Sequence, residues 1–322
     1  MKTLNLSTEK NRPEKETVRA LVLFSGGLDS ILAVKILANL GIETAALTFV
    51  SYFFDANQAK KSAKENKIKL KFFDFSGEHL KVIKNPCYGR GAGMNPCIDC
   101  HLLMLKCAKI IAKKENFDII ATGEVLGQRP MSQNFRALEL IEKKAGLTGK
   151  ILRPLSAKVL PETEMEKSGK IDREKLLAIS GRGRKEQMEL AKKFGVKNYP
   201  SPAGGCILTE KEYSKKLGDL LEKINKPRPS DLQLLRIGRH FWEGKTKIIL
   251  GRNREENLAL KKMAETGDIL IDPKNFLGPT ALIRRRKREA SVEASIEASK
   301  EKIIEYSKKS REKNPTFNIF NK

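Results

Sequence analysis

The chain lacks several features that would place it quickly. No apolar run approaches the ~18 residues of a membrane-spanning helix. The opening MKTLNLSTEKNRPEKE is polar and carries no apolar stretch before a cleavage site, so it does not read as a secretory signal. The expectation is a cytoplasmic protein with no membrane partner. Cysteine is scarce, five in 322 residues, too few for a disulfide framework. In a reducing compartment, clustered thiols point instead to metal ligation or catalysis. No Gly-x4-Gly-Lys phosphate loop occurs near the first strand. The C-terminal segment shows no clear heptads. Positive charge is abundant: 63 Lys and Arg against 39 Asp and Glu, a net +24 spread over both halves. Hydrophobic residues make up 40%, enough for a core. The basic excess suggests a polyanionic partner, nucleic acid foremost.

Short apolar runs alternate with helical patterns. Ala20–Phe24, Thr44–Val50, Leu70–Phe75 and Phe117–Gly123 read as strands. Ile31 to Leu40, closed by Gly41, reads as a helix, as does the chain from Cys100 onward. This alternation predicts an α/β fold, a doubly wound parallel sheet with helices on both faces, followed by a small C-terminal α+β domain. The expected boundaries are a polar arm over 1–17, a parallel-sheet domain over 18–160 and a middle segment over 161–229. A small domain over 230–285 and a charged tail over 286–322 complete the chain. Ligands of such sheets sit beyond the carboxyl ends of the strands.

SGGLDS (Ser25–Ser30) lies between the first strand and an amphipathic helix. Gly26 and Gly27 let backbone N–H groups approach an anion, Ser25 and Ser30 add hydroxyls, and the helix N-terminus adds its dipole. Asp29 suits Mg²⁺, which offsets its repulsion from phosphate. The string resembles the loop of the ATP pyrophosphatase (PP-loop) superfamily, which cleaves ATP to AMP and pyrophosphate. That resemblance implies a pyrophosphate cradle at Ser25, Gly26, Gly27, Asp29 and Ser30, with adenine against the end of strand two at Thr48 and Phe49.

Cys97-x2-Cys100 is a metal-type pair, flanked by Cys87 and Cys107, with Cys206 remote. By itself a CxxC leaves zinc, iron–sulfur and redox uses open. His101 completes a haem-attachment string, but haem is rejected because no export signal is read and the loop joins a nucleotide-binding sheet; Cys97, Cys100, Cys206 and His101 are a possible zinc set. Cys107 lies on the helical pattern and reads as core. NPCIDCH resembles the NPxxxC loop of the tRNA 2-thiouridylases. In iron–sulfur-dependent tRNA thiolases a CxxC and one remote cysteine hold a [4Fe–4S] cluster. The resemblance implies Cys97, Cys100 and Cys206 as its ligands, or as persulfide carrier and resolving thiol.

ATGEVLGQRPMSQ resembles the TGE-x-LGQ segment of the 4-thiouridine synthetases, with one extra residue before the final SQ. It implies that Gly123, Glu124, Gln128 and Ser132 border the nucleotide and the target base. Arg153 of RPLSAK, by the same likeness, meets AMP or RNA phosphate. In GRGRKEQ, Arg182, Arg184 and Lys185 suit phosphate contacts with RNA. A second basic cluster is RRRKR, Arg284–Arg288. GRNREEN with a following D-x3-D-x5-GP stretch resembles NFACT-R, which implies an RNA-facing surface at Arg239, Arg252, Asn253 and Arg254. Trp242 could stack on a base.

The chain is thus similar to the PP-loop tRNA thiouridine synthases. The implied activity is ATP-dependent thiolation of a tRNA uridine to 4-thiouridine or 2-thiouridine. It draws on ATP, Mg²⁺ and a [4Fe–4S] cluster, or on persulfide chemistry or zinc in the cluster's place. The implied partners are tRNA and a sulfur donor, sulfide or a cysteine desulfurase. Two other readings stand beside it: another adenylating PP-loop ligase, and a non-catalytic, ATP-responsive RNA-binding factor.

Overall fold

The computed structural model describes residues 17–200, 206–285, 292–307 and 314–322. They form two units. One holds the described residues within Met1–Ser51, Asp55–His79 and Cys97–Ala203. The other holds those within Tyr52–Phe54, Leu80–Pro96 and Gly204–Lys322.

The apolar runs of the first unit become a parallel sheet: β1 (Arg19–Leu23), β2 (Glu43–Val50), β3 (Leu70–Asp74), β4 (Ile119–Thr122) and β5 (Ile151–Leu152), in the order β3-β2-β1-β4-β5. All pairings are parallel. The helices are α1 (Leu28–Asn39), α2 (Asn57–Glu65), α3 (Ser76–Lys84), α4 (Cys97–Lys114), α5 (Phe135–Ala145), α6 (Glu164–Lys167) and α7 (Lys185–Lys193); α3 runs into the second unit's segment. The parallel doubly wound sheet expected from the sequence is therefore present. β1 is apolar over Ala20–Leu23 and β4 over Ile119–Ala121 because both faces of a central parallel strand are covered.

α1 is apolar on nearly every side, with Leu28, Ile31, Leu32, Ala33, Val34, Ile36 and Leu37 buried. A helix of that kind must be covered on both faces. One face lies on β1 residues such as Ala20 and Val22; Ile179 and α7 residue Ala191 join the same core. α5 is capped by Asn134, whose side chain accepts from Ala137 N, and ends at Gly146 in the left-handed region. Strand order sets the place of any ligand. The chain leaves β1 toward β2 on one side and returns at β4 on the other, so the loops after β1 and β4 part at a topological switch point.

The second unit carries α8 (Lys211–Lys223), α9 (Pro229–Leu234), β6 (Arg239–Glu243), β7 (Thr246–Leu250), α10 (Arg254–Met263), β8 (Ile269–Pro273), β9 (Ala281–Arg284), α11 (Val292–Glu305) and β10 (Phe317–Asn321). Its strands pair antiparallel in the order β10-β8-β9-β7-β6. Alternate side chains enter two cores. Ile248, Ile269, Ile271 and Ile283 pack with Ile303 of α11, while Ile249, Leu270 and Leu282 pack with Leu260 of α10 and Leu234 of α9. The α+β expectation for this region therefore holds. The segment after Arg285, which reads as a charged tail, supplies α11 and β10. Its signal is weak because α11 buries small Ser295 and Ser299 beside Ile303, a face with little hydropathy. None of the described helices is long and apolar enough to cross a membrane.

Candidate active site

β1 ends at Leu23 and α1 begins at Leu28, with Gly27 as an extended N-cap that has no side-chain cap bond. The first-turn N–H groups of α1 therefore lack the usual capping oxygen, the condition that suits an anion. Ser25 and Ser30 face each other across the turn, Oγ to Oγ at 3.4 Å. Ser30 Oγ donates to Gly27 O at 2.8 Å, and Gly27 N donates to Ser25 Oγ at 3.3 Å.

Two glycines fix the loop against its surroundings. Gly26 has φ +77°, and a Cβ there would lie 2.7–2.8 Å from backbone atoms of Gln58 and Ala59 at the start of α2. Ser62 Oγ holds the other side by donating to Gly26 O at 2.8 Å. Gly123, directly after β4, sits so close that a Cβ would lie 2.6 Å from backbone atoms of Asp29 and Ser30. Only glycine allows either approach.

Asp29 is the meeting point of three segments. Its Oδ2 accepts from Gln128 Nε2 at 2.8 Å and lies 3.6 Å from Arg184 Nη2. Its Oδ1 is buried and has no hydrogen-bond partner. Gln187 Nε2 reaches Gln128 Oε1 at 3.5 Å. An unfilled carboxylate oxygen beside an uncapped helix N-terminus suits a hard cation bound together with phosphate, so Mg·ATP fits these residues.

The loop after β4 contains a buried ionic network. Glu124 Oε1 lies 2.8 Å from His101 Nδ1. Its Oε2 accepts from Arg153 Nε and from Thr122 Oγ1, both at 3.0 Å. Arg153 is 3% exposed and also bonds Glu142. Burial alone would raise the Glu124 pKa; the Arg153 and His101 contacts outweigh it and bring it down to about 2. Both Glu124 oxygens are thus engaged within the protein, and Arg153 is buried beside it, with its Nη2 lacking a hydrogen-bond partner. Thr48 spends its hydroxyl on Phe24 O at 2.6 Å and is buried; Phe49 is buried against Phe73 and Phe75. Their side chains line the interior of the sheet's end.

Cys97 is the first residue of α4 and Cys100 lies one turn on; both are half-buried. The His101–Glu124 contact ties this turn to the loop after β4, placing the CxxC at the same sheet edge as SGGLDS. Cys107 is half-buried, and burial together with the Glu78 carboxylate pushes its thiol up, as suits a core residue. Cys206 caps a short 3-10 turn in the second unit, where its carbonyl accepts from Thr209 Oγ1. Among the described residues no three Cys, His, Asp or Glu side chains are gathered as a metal site.

The basic residues divide. Arg182 and Lys185 are exposed, whereas Arg184 turns to Asp29. Arg239 stacks its guanidinium 4.6 Å from the Tyr306 ring centroid. Arg252 pairs with Glu256, Asn253 caps α10 by accepting from Glu256 N, and Arg254 is exposed. Much of GRNREEN is therefore a helix-capping arrangement. Trp242 is half-buried against the core of its unit, with Lys223 and Lys247 over its ring. Of RRRKR, Arg284 is buried against Asp231 and Asp268, and 286–288 lie outside the described residues. Three features of the site had no distinct signal in the sequence: the place of Gln187, the tether of His101 to Glu124, and the approach of Arg184 to Asp29; each depends on contacts between distant segments.

Two family models match the chain. That of the thiamine biosynthesis protein ThiI covers residues 16–159, and that of the NFACT protein RNA binding domain covers residues 238–322. Both resemblances drawn from the sequence thus have a matching family. A protein of Finegoldia magna described as "Probable tRNA sulfurtransferase" is 30% identical over 145 residues, 43% of this chain and 36% of that protein. The tRNA-specific 2-thiouridylase MnmA of Wolbachia pipientis is 23% identical over 286 residues, 80% of this chain and 73% of that protein. Among solved structures, a predicted subunit of tRNA methyltransferase from Methanocaldococcus jannaschii aligns with TM-score 0.40 at 18% identity, over 66% of this chain and 91% of that one. The chain spans 36–37% of the tRNA sulfurtransferases of Finegoldia magna and Moorella thermoacetica that it matches.

Proposed function

We propose that the chain is an ATP-dependent tRNA uridine thiolase. The observation that carries this reading is one pair of neighbours: Gly123 packs on the SGGLDS loop at Asp29, while Glu124 bonds His101 beside the CxxC. A phosphate loop and a thiol pair thus share one sheet edge. The ThiI and NFACT-R_2 matches support the same reading.

Ser25, Gly26, Gly27 and Ser30, with the uncapped start of α1, bind the pyrophosphate end of ATP. Asp29 holds magnesium, which neutralises charge there. A uridine carbonyl oxygen attacks the α-phosphorus, pyrophosphate leaves, and the base carries AMP. A carbonyl oxygen is otherwise a very poor leaving group, and adenylation corrects that. Sulfide delivered beside Cys97 and Cys100 then attacks the activated carbon, and the C–O bond breaks to release AMP with the former carbonyl oxygen. Gln128 orients Asp29, and Glu124 with Arg153 fixes the loop after β4. The target uridine must leave its stack to reach the site. The second unit, with the exposed Arg252 and Arg254, binds tRNA. The net charge of +24 favours that partner.

The test is anaerobic purification followed by incubation with unmodified tRNA, Mg·ATP and sulfide. Digested tRNA is then examined by mass spectrometry. Thiolated uridine is the expected product, and its retention time separates the 2-thio from the 4-thio isomer. Intact ATP and unmodified tRNA would sink the thiolase reading in favour of a binding factor.

A further inference from the structure

We propose that Gly181–Gln187 is a second phosphate-binding element of the nucleotide site and that Arg184 exchanges partners there. It neutralises Asp29 while no nucleotide is bound, and it takes a phosphate oxygen when Mg·ATP claims the Asp29 carboxylate. The inference rests on the nucleotide reading of SGGLDS. Its binding element, Gly181–Gln187, lies outside the 16–159 stretch that matches the ThiI family.

The Arg184–Asp29 pair is poorly closed for a pair built for itself. The separation of 3.6 Å is beyond hydrogen-bond range. Arg184 Nε is buried with no acceptor, and Asp29 Oδ1 is buried with no donor. A guanidinium and a carboxylate free to satisfy each other form two parallel bonds. Here each keeps unused capacity. Gln187 adds a third such atom: the residue is 0% exposed and its Oε1 has no partner. Three unfilled buried polar atoms around Gln128, one positive donor and two acceptors, are the complement of an anion bound together with a cation.

The segment is held where such a ligand would need it. Gly181 N donates to Leu126 O at 2.7 Å, and Ser180 bridges Leu126. Arg184 is the N-cap of α7, a nine-residue helix, and provides no side-chain cap bond. The first-turn N–H groups of α7 thus add donors beside the guanidinium.

The experiment is calorimetric titration of the full chain with Mg·ATP, for wild type, Arg184→Gln, Arg184→Lys and Asp29→Asn, and for Arg184→Gln in the Asp29→Asn background. Arg184→Gln is expected to weaken Mg·ATP binding about tenfold or more, as for loss of a charge-assisted fork. Arg184→Lys, which keeps the charge and loses the fork, should recover part of it. The loss should persist in the Asp29→Asn background, because the phosphate contact does not pass through Asp29. If Arg184 were only the counter-ion of Asp29, Arg184→Gln would leave affinity unchanged or tighter. Any residual effect would then vanish in the Asp29→Asn background; either outcome overturns the inference. Should Arg184→Gln fail to melt cooperatively, unchanged affinity in Arg184→Lys overturns it equally. A wild type that binds no Mg·ATP overturns both this inference and the nucleotide reading; a wild type that binds, with an equal Arg184→Gln, overturns this inference alone.

Discussion

Glu124 Oε1 stands 2.8 Å from His101 Nδ1, and this contact joins the loop after β4 to the first turns of α4. With Arg153 on the other oxygen, one carboxylate positions both halves of the site. Removing its charge leaves Arg153 buried beside a neutral amide. Glu124→Gln is expected to destabilise the protein by about 3–5 kcal/mol, read by chemical denaturation. Glu142 still pairs with Arg153, so the lower end is expected.

The same carboxylate gives a pH signature. Arg153 and His101 overcome burial and hold its pKa down to about 2, below the ordinary 4.5 of a glutamate. The stability it contributes is complete above about 4.5 and is lost as pH falls toward 2. The difference is worth about 3 kcal/mol at neutral pH. Melting temperature of the wild type should therefore drop across that window. Glu124→Gln should show a shallower drop there; an equal slope in both would remove Glu124 from the account.

Gly123→Ala puts a methyl 2.6 Å from the backbone of Asp29 and Ser30. The loop must move. The expected cost is about 1–3 kcal/mol in stability and about a hundredfold in kcat/KM for ATP, through misplacement of the phosphate cradle. A variant with normal ATP turnover would show that the close approach is dispensable.

The cysteines should separate by role. Cys97→Ser and Cys100→Ser are expected to stop thiolation while leaving Mg·ATP affinity intact. Cys107→Ser should leave thiolation in place, since burial and Glu78 keep that thiol protonated. Quantifying thiouridine and ATP binding in the same preparations checks all three.

Lys247 carries the reverse sign. Its Nζ has no hydrogen-bond partner, and burial, partly offset by Asp231, lowers its pKa to about 7. Between about 7 and the ordinary 10.5 the folded state has shed a proton that the unfolded state keeps, so stability rises with pH across that range. Lys247→Met should stabilise the second unit by about 1–3 kcal/mol at neutral pH and flatten the rise. Melting curves at pH 7 and 9.5 read both effects.

What the sequence revealed follows from burial. β1 and β4 stand out because a parallel strand covered on both faces is uniformly apolar. SGGLDS stands out because a strand, a glycine pair and an amphipathic helix occur in direct succession. Glu124 and Arg153 could be recognised as polar residues near a ligand site, but not as partners of each other, because a buried ion pair and a ligand contact use the same residue types. Arg184 read as an RNA-facing cation, since its approach to Asp29 depends on how α7 packs beside α1. α11 was obscured by its small serines.

The most direct measurement is the stoichiometry of the reaction with tRNA. Quenched mixtures of enzyme, tRNA, sulfide and labelled ATP are resolved for AMP, ADP, pyrophosphate and thiolated uridine. The account requires one AMP and one pyrophosphate for each thiouridine, with AMP formation dependent on tRNA. Formation of ADP, or AMP released without any thiouridine, would contradict it.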